Sequence, residues 1–415
     1  MNAIFRLAFG CWALLLIAQL PAQTLHTLDD IHQDAKLHGI DSSDAWSFSV
    51  AGQETMLPQE RLVRWGAWSG VLDDQAVWLS DDSFVCGQVS MSATGTTLTN
   101  DWLQVPTLAW NAVRGLVLAP PRTLDNWLAL QAQMQSASGE EDMVWLAGGR
   151  RLSGIVRVDD ARDARGEQTL HVDSAGQGIP LRLADVQAIV FSPALLGPVP
   201  EHRGATQLSL VDGSRLWAKQ VSPSATGVRL TLESGQQLQS IDESNVFVDS
   251  ISGIARPSAT TTFLSDLTPA RYRHLPDSTL RWELGTDRDV LGVALHTERS
   301  IFLRGLATHS SSQVAYRWDG SPVQLLAEVT LAAAPPGSAE RLGSVACQVL
   351  VARGGELQTV HSFSLQRAAE GTAQPVELID LDLQDAKLIV LVTDKADYGQ
   401  YGDHVLWLDA RLSTK

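Results

Sequence analysis

The residues best suited to chemistry in this chain of 415 residues lie in two runs near its carboxy terminus. The first run, 304–320, contains His309 among small hydroxyl-bearing side chains. The second run, 392–412, contains Asp403 and His404 together with several aromatic residues. Each run passes from an apolar strand pattern into a polar loop, which is how sandwich folds present a ligand site on a rigid scaffold. We therefore expect the strands to hold the loops still and the loops to make the contacts.

Two other carboxylates of the second run, those of Asp394 and Asp397, suggest a metal site. Calcium prefers oxygen ligands, so a structural calcium ion is an alternative role for this loop. No other cofactor is predicted. The acidic turn at 159–166 lacks the glycine and the terminal glutamate of an EF-hand loop, and a solvated hairpin is the better interpretation.

Neither the cysteines nor the short motifs of the sequence indicate an enzyme. Cys86 and Cys347 lie far apart in apolar strand patterns, and separate buried thiols are favoured over a disulfide between them. The chain has no Gly-x-Ser-x-Gly, His-Glu-x-x-His or phosphate-binding loop. Most acidic residues outside the last module lie in turns of a repeating β pattern. We therefore predict a protein without catalytic activity.

The first residues and the net charge indicate the compartment and exclude some partners. A basic Arg6, an apolar run over 7–20 and a small residue at Ala22 are typical of a secretory signal peptide cleaved near Ala22. A retained anchor is the alternative, although the run is shorter than the ~20 residues of a membrane span. The protein is expected to be secreted, periplasmic or on the cell surface. Its net charge of −16 would repel nucleic acid and anionic lipid.

The middle of the chain has the alternating β-branched pattern of an all-β protein and repeats itself. Three similar runs place leucines at Leu79, Leu146 and Leu210, spaced by 67 and then 64 residues. Each repeat opens with a predicted hairpin, continues through a middle strand and closes with an apolar strand, predicted over 242–248 in the third repeat. Four or five short strands per repeat favour an array of small barrels or meanders.

Domain boundaries follow from this repeat. A helix is predicted over 123–135, after an N-cap-like Thr123. The run 46–65 matches the closing half of a repeat, so it is either a degenerate fourth copy or a hairpin that completes the first barrel. The predicted segments are a signal peptide at 1–22, a polar arm or short helix at 23–44, the first repeat with its helix at 45–135, the second at 136–200, the third at 201–252, a linker at 253–262 and a separate module at 263–415.

The carboxy-terminal module resembles a known family over residues 262–413. The motifs that carry the resemblance are Leu264-Ser-Asp-Leu, Arg304-Gly-Leu-Ala-Thr-His-Ser-Ser-Ser, Trp318-Asp-Gly, Gly343-Ser-Val-Ala-Cys-Gln-Val and Tyr401-Gly-Asp-His-Val-Leu-Trp. They are similar to those of the NPCBM/NEW2 family of carbohydrate-binding modules, which are associated with glycoside hydrolase family 98 enzymes. The resemblance implies a galactose-binding-domain-like β-sandwich, or jelly roll, that recognises a glycan, with galactose-containing glycans as the best-known targets.

Sugar recognition gives the two polar runs specific candidate roles. A pyranose needs hydrogen-bonding partners for its hydroxyls and an aromatic ring for its apolar face. The candidate hydrogen-bonding partners are His309, Asp403 and His404, and the candidate stacking residues are Tyr398, Tyr401 and Trp407. Structural roles are the alternative: His309 and Asp403 would hold loops together, and Trp407 would be a core residue of an alternating strand.

Two functions therefore follow from the sequence. The first is a secreted, non-catalytic glycan-binding protein in which the repeats act as a platform. The second is an envelope or extracellular structural protein whose sandwich binds other proteins and no longer binds sugar. Differences from the family pattern at Ala307, Ser311 and 332–334 favour the second function, and the retained His309 and the Asp403-His404 pair favour the first.

Overall fold

The computed structural model describes residues 23–162, 168–202, 204–225, 227–241, 244–257, 261–275, 279–321, 323–334, 343–369, 372, 374–396 and 401–413. The predicted signal peptide at 1–22, and with it the alternative of an anchor, lies outside the described residues, as do Asp397 and Tyr398. Among the described residues, no helix has the length and apolar character needed to cross a membrane. Antiparallel strands make up most of the chain, which confirms the all-β prediction.

The amino-terminal half is an array of four units, each closed by the same strand pairing. Unit I (23–66) contains β1 (Gln23–Thr27), β2 (Ile31–Ile40), β3 (Trp46–Val50), β4 (Gln53–Leu57), a 3-10 turn (Gln59–Arg61) and β5 (Leu62–Gly66). Unit II (76–117) contains β6 (Ala76–Leu79), β7 (Phe84–Cys86), β8 (Gln88–Ser92), β9 (Gly95–Thr99), β10 (Leu103–Gln104), β11 (Leu108–Ala109), a 3-10 turn (Trp110–Ala112) and β12 (Val113–Val117). Helix α1 (Leu124–Gln135) follows unit II and confirms the predicted helix.

The other two units have five strands each, and their first and last strands pair as in units I and II. Unit III (142–190) contains β13 (Asp142–Leu146), β14 (Arg151–Arg162), β15 (Gln168–Ser174), β16 (Gln177–Arg182), a 3-10 turn (Leu183–Asp185) and β17 (Val186–Val190), and the short helix α2 (Pro193–Leu196) follows it. Unit IV (206–255) contains β18 (Thr206–Leu210), β19 (Arg215–Ser224), β20 (Gly227–Leu232), β21 (Gln237–Ser240), α3 (Ser244–Ser250) and β22 (Ile251–Ala255).

A single hydrogen bond recurs where the first strand of each unit meets the approach to its last strand. The four bonds are Leu28 N–H to Arg61 O at 3.0 Å, Ser80 N–H to Ala112 O at 3.0 Å, Ala147 N–H to Asp185 O at 3.0 Å and Val211 N–H to Ser250 O at 2.8 Å. The predicted repeat is therefore present, and the run 46–65 belongs to a fourth copy. One hydrophobic core collects residues from all four units, among them Leu25, Leu116, Val144 and Leu208.

Three sequence predictions about the array are wrong. Residues 23–44 form β1 and β2 rather than an arm or helix, because Ala35 and Leu37 alternate inward as in a half-buried strand. The predicted strand over 242–248 includes the start of helix α3, where the Ser250 hydroxyl donates to the Phe247 carbonyl at 2.6 Å. The last repeat continues to Ala255, so the linker begins later than predicted.

The carboxy-terminal half is a sandwich of two antiparallel sheets. Its strands are β23 (Thr262–Phe263), β24 (Arg271–His274), β25 (Gly285–Thr286), β26 (Leu295–His296), β27 (Ile301–Phe302), β28 (Gly305–His309), β29 (Ser312–Arg317), β30 (Gln324–Leu331), β31 (Ser344–Arg353), β32 (Glu356–Gln366), β33 (Val376–Asp382), β34 (Leu388–Lys395) and β35 (His404–Ser413), with a 3-10 turn at Leu264–Asp266. One sheet has the order β25-β28-β35-β30-β33 with β23 beside β35, and the other β24-β29-β34-β31-β32. The inward-facing side chains pack into one core, as predicted for the module.

Candidate ligand-binding site

Three histidines from both sheets come together at one end of the sandwich. His309 is the last residue of β28 and lies directly opposite His404, the first residue of β35. His274 ends β24 and lies opposite Ser312, the first residue of β29. The turn between β28 and β29 is tight, with Ser311 at a φ of 61°. The strand register therefore brings the three imidazoles to the same end of the fold.

Trp282 covers this group of imidazoles. Its ring stacks on His309 with the centroids 5.3 Å apart and an interplanar angle of 16°. It meets His404 edge to face at 5.1 Å, and His309 lies 5.1 Å from His404 and 5.5 Å from His274. We refer to Trp282, His274, His309 and His404 as the aromatic cluster. Trp282 is half-buried, whereas His309 and His404 are only 4% and 6% exposed, so the indole is the more accessible member.

Backbone hydrogen bonds hold Trp282 in this position. Its N–H donates to His274 Nδ1 at 3.0 Å, which makes that nitrogen an acceptor. Its carbonyl accepts a hydrogen bond from the Tyr272 hydroxyl at 3.0 Å. Both partners lie on β24, so the sheet fixes the indole before any ligand arrives. Such preorganisation lowers the entropic cost of binding.

Asp403 has a buried position that fits the structural alternative given for it above, in which it holds loops together. The residue is 0% exposed, and its Oδ1 accepts the Ser344 N–H at 3.0 Å. Burial raises the pKa of its carboxyl to about 6, against the hydrogen bonds from Ser344 and Ser310 and the charge of Arg367. Arg367 in turn donates to the carbonyls of Ala332 at 2.8 Å and Gly402 at 3.1 Å. Asp403 therefore ties the segments beside the aromatic cluster together.

Burial favours the neutral form of two histidines of the cluster, His274 and His404. Burial lowers the pKa of His404 to about 4, and the charges of His309 and Arg367 act in the same direction. Burial also lowers the pKa of His274. A neutral imidazole offers one hydrogen-bond donor and one acceptor. At neutral pH the cluster therefore combines a flat indole with the uncharged imidazoles of His274 and His404.

The remaining predicted site residues do not form one group. Trp407 is 0% exposed in the sandwich core, where its ring meets Phe363 at 6.1 Å, so its proposed stacking role is corrected to the core role. Tyr401 is 52% exposed and accessible to a ligand. Tyr398, the third stacking candidate, lies outside the described residues.

The predicted calcium site is only partly covered by the described residues. The exposed Asp394 accepts its neighbour's N–H, that of Lys395, at 2.8 Å, and Asp397 lies outside the described residues. Within the described ranges, no three or more His, Cys, Asp or Glu side chains gather in a way that could hold a metal. Calcium binding by this loop stays a prediction.

Sequence reasoning missed Trp282 and His274. Trp282 lies in a segment between β24 and β25 that has no regular strand pattern. His274 occupies an ordinary strand end. Only the pairing of β24 with β29, which is distant in sequence, brings both beside His309.

Comparison with known proteins identifies the carboxy-terminal sandwich. Residues 260–413 match the family model of the NPCBM/NEW2 domain, which confirms the resemblance found in the sequence. No curated protein matches the chain.

Several solved structures match part of this chain. The CBM51 module from Clostridium perfringens GH95 in complex with methyl-galactose is 19% identical and covers 37% of this chain and 99% of its own, with a TM-score of 0.28. Tandem CBM51 modules of the family 98 glycoside hydrolase from Streptococcus pneumoniae are 12% identical and cover 82% of this chain and 99% of their own, with a TM-score of 0.29. The CBM51-2 and INT domains of Clostridium perfringens ZmpB, in complex with GlcNAc, are 23% identical and cover 52% of this chain, with a TM-score of 0.29. The present chain spans 45% of that ZmpB chain.

Proposed function

Since residues 260–413 form an NPCBM/NEW2 domain, we propose that the sandwich binds glycans, of galactose type, in a secreted, periplasmic or cell-surface protein that does not cleave them. The observation that carries this proposal is the indole of Trp282, which is held by β24, stacks on His309 and meets His404 edge to face at the loop end of the sandwich. The array of four units serves as the platform that holds the module.

The chemistry of the aromatic cluster suits a neutral sugar. An indole packs against the apolar C–H face of a pyranose, and galactose offers such a face together with hydroxyls that need directional partners. The uncharged His404 can supply a donor or an acceptor to a hydroxyl. Tyr401 is exposed three residues before His404 and adds a second aromatic surface. In this arrangement Trp282 stacks, the imidazoles hydrogen-bond and Asp403 positions the loops.

A second candidate function is protein binding by a sandwich that has lost its sugar site. The near-complete burial of His309 and His404 beneath Trp282 favours it, because it leaves little imidazole surface for a ligand. Ala307, which differs from the family pattern, is itself fully buried on β28 and does not face solvent. The two functions differ in whether any glycan binds at all.

A glycan-array screen of the chain from residue 23 onward, with and without EDTA, tests the proposal. We expect binding to galactose-containing glycans and a loss of at least tenfold in affinity for Trp282→Ala, because the stacking of the sugar ring on the indole is removed. Trp318→Ala is the matched control: Trp318 is also half-buried but follows the opposite end of β29, where its Nε1 donates to the Ser321 carbonyl at 3.0 Å. This control should keep wild-type affinity.

The outcomes of that screen separate the alternatives. Absence of binding to every glycan by a folded protein contradicts the glycan function and supports protein binding. Equal loss in both tryptophan variants shows that the effect comes from the fold rather than the cluster. Loss of binding on EDTA treatment alone would reveal a role for the predicted calcium site.

A further inference from the structure

A second cavity, remote from the sandwich, lies between units II and III of the array. It has a volume of about 530 Å³ and opens to solvent. Its walls include the rings of Trp110 and Phe191 and the aliphatic side chains of Val156, Val158 and Leu196. This size and this mostly apolar lining are those of small-molecule sites, which usually measure roughly 300–1,000 Å³.

The internal repeat shows that the fold does not require this cavity. The last strands of units II and III, β12 and β17, pair with Leu116 opposite Ile189. The last strands of units I and IV, β5 and β22, pair in the same register, with Trp65 opposite Ile254. The array therefore contains two equivalent junctions, which can be compared position by position.

A backbone hydrogen bond at each junction extends this equivalence to the residue that follows the last strand of units III and IV. The Phe191 N–H donates to the Arg114 carbonyl at 2.9 Å at one junction. The Arg256 N–H donates to the Val63 carbonyl at 2.9 Å at the other. Phe191 thus corresponds to Arg256. By the same register, the 3-10 turns before β12 and β5 correspond, so Trp110 matches Gln59.

The two junctions are filled differently. Between units I and IV, the Arg256 guanidinium lies 3.4 Å from Gln59 Oε1 and 3.3 Å from the hydroxyl of Thr206, the first residue of β18. Between units II and III, the corresponding rings of Trp110 and Phe191 lie 5.0 Å apart, tilted by 56°, and border the open cavity. The same backbone thus carries a hydrogen-bonded polar group at one junction and an aromatic-walled cavity at the other.

Hydrogen bonds or an ion pair engage the charged groups of the cavity, whereas one buried hydroxyl has no partner in the described parts of the chain. Asp142 accepts the N–H groups of Ser192 and Val156, each at 2.7 Å. Arg157 forms an ion pair with Asp173 at 2.9 Å. The Ser192 hydroxyl is buried and has no hydrogen-bond partner among the described residues. Because a buried unpaired hydroxyl is costly, it is a natural contact for a ligand.

We propose that this cavity binds an uncharged small molecule with an aromatic or similarly flat apolar body and one hydrogen-bonding group. The apolar body packs between Trp110 and Phe191 on one side and the aliphatic residues of β14 on the other. Its polar group bonds to the Ser192 hydroxyl. The site is independent of the aromatic cluster and of glycan binding.

Titration with N-phenyl-1-naphthylamine tests the proposal, because this uncharged probe has two aromatic groups, one N–H donor and a fluorescence that rises in apolar surroundings. The wild-type chain from residue 23 onward should show saturable binding of one probe per chain. The double variant Trp110→Gln/Phe191→Arg installs the residues of the equivalent junction and should weaken binding at least tenfold. Arg256→Ala and Trp282→Ala, which alter the other junction and the sandwich, should bind as the wild type does.

Near-ultraviolet circular dichroism shows whether the double variant is folded. If it is not, hydrogen exchange of the wild-type chain with and without the probe still tests the proposal. In the wild-type chain, saturating probe should slow exchange in 110–112 and 155–158, and leave 59–61 and 206–208 at the other junction unchanged. The proposal is overturned by an absence of saturable binding, by unchanged affinity in the folded double variant, or by protection confined to other segments. Protection of 110–112 by galactose rather than by the probe would also overturn the apolar ligand class.

Discussion

Arg64 of unit I and Glu328 of the sandwich form a buried ion pair across 264 residues of sequence, with Arg64 Nη2 2.5 Å from Glu328 Oε2. Arg64 Nε also donates to Asp409 Oδ2 at 2.5 Å, and His26 Nε2 lies 3.0 Å from Glu328 Oε2. The fully buried Arg411 donates to the Thr27 carbonyl at 2.5 Å. These buried charges join the array to the sandwich, beside an apolar contact in which Ile301 of the sandwich packs with Trp68 and Leu72.

Removing the charge of Glu328 should destabilise the protein strongly. Glu328→Gln leaves the guanidinium of Arg64 buried with only Asp409 as a charged partner, and breaking such a buried pair costs roughly 3 kcal/mol. Urea denaturation at pH 7 measures this loss in the free energy of unfolding. Asp29→Asn is the matched control, because the Asp29–Arg61 pair at 2.7 Å is about half exposed on both sides and such pairs contribute less than about 1 kcal/mol. Equal effects of the two changes would contradict a joining role for Arg64 and Glu328.

Low pH should weaken the contact between the array and the sandwich, because His26 becomes protonated. Burial and the charge of Arg64 lower the pKa of His26 from 6.5 to about 4 in the folded protein, against the contacts with Glu328 and Asp409. The unfolded chain therefore binds more protons between these two pH values, and the free energy of unfolding falls as pH falls from 6.5 to 4. With about 1.4 kcal/mol for each pKa unit, His26 accounts for at most roughly 3 kcal/mol of this loss.

His26→Gln isolates that contribution. Denaturation of the wild type and the variant at pH 7, 6, 5 and 4 should give curves that converge as pH falls, since the substituted glutamine side chain does not titrate. His404→Gln provides a comparison, because burial also lowers the pKa of His404 to about 4, and this residue belongs to the aromatic cluster rather than to the joined surfaces. Parallel curves for wild type and His26→Gln would show that His26 does not titrate in this range.

Periodicity in the sequence predicted the strands of the array except where polar residues face inward. The repeat spacing and the apolar alternation predicted the all-β array, and the family resemblance implied the carboxy-terminal sandwich. The first strand of unit I was not recognised because His26 and Thr27 on β1 are buried against the sandwich, where they bond to Glu328 and Arg411. A strand whose buried face is polar cannot be distinguished from a polar arm by local pattern alone.

The sequence predicted only those residues of the candidate site that local motifs indicate. His309 and His404 were identified from polar loops that follow apolar strands, and the structure places them opposite each other. The position of Trp282 depends on its bonds to His274 and Tyr272 and on the pairing of β24 with β29, which no local signal encodes. Trp407 was ambiguous because an aromatic residue in an alternating strand suits either a core or a platform.

Trp407 should matter for stability and not for ligand binding. Its side chain is 0% exposed in the sandwich core, and truncating such a residue to alanine usually costs about 3–5 kcal/mol. Trp407→Phe keeps a ring in place and should cost less. If Trp407→Phe remains folded, its affinity for any glycan bound by the wild type should be unchanged, in contrast to Trp282→Ala. A tenfold loss of affinity in a folded Trp407→Phe protein would restore the stacking role.

The two described cysteines should behave as separate, unreactive thiols. Cys86 on β7 and Cys347 on β31 lie in different halves of the protein, and both are free and buried, as the sequence favoured. Burial raises the pKa of Cys86 and raises that of Cys347 to about 12, so the reactive thiolate is scarce at pH 8.

Thiol titration with Ellman's reagent, without reductant, measures this directly on the chain from residue 23 onward. Native protein should react slowly, and both thiols should react at once in denaturant. Cys86→Ser should remove one of the two reactive groups in denaturant and leave the other. A protein that shows no thiol in denaturant would contain a disulfide, which could only arise after unfolding because the two sulfurs belong to separate cores. Rapid reaction of the native protein would instead mean that one of the two strands opens readily.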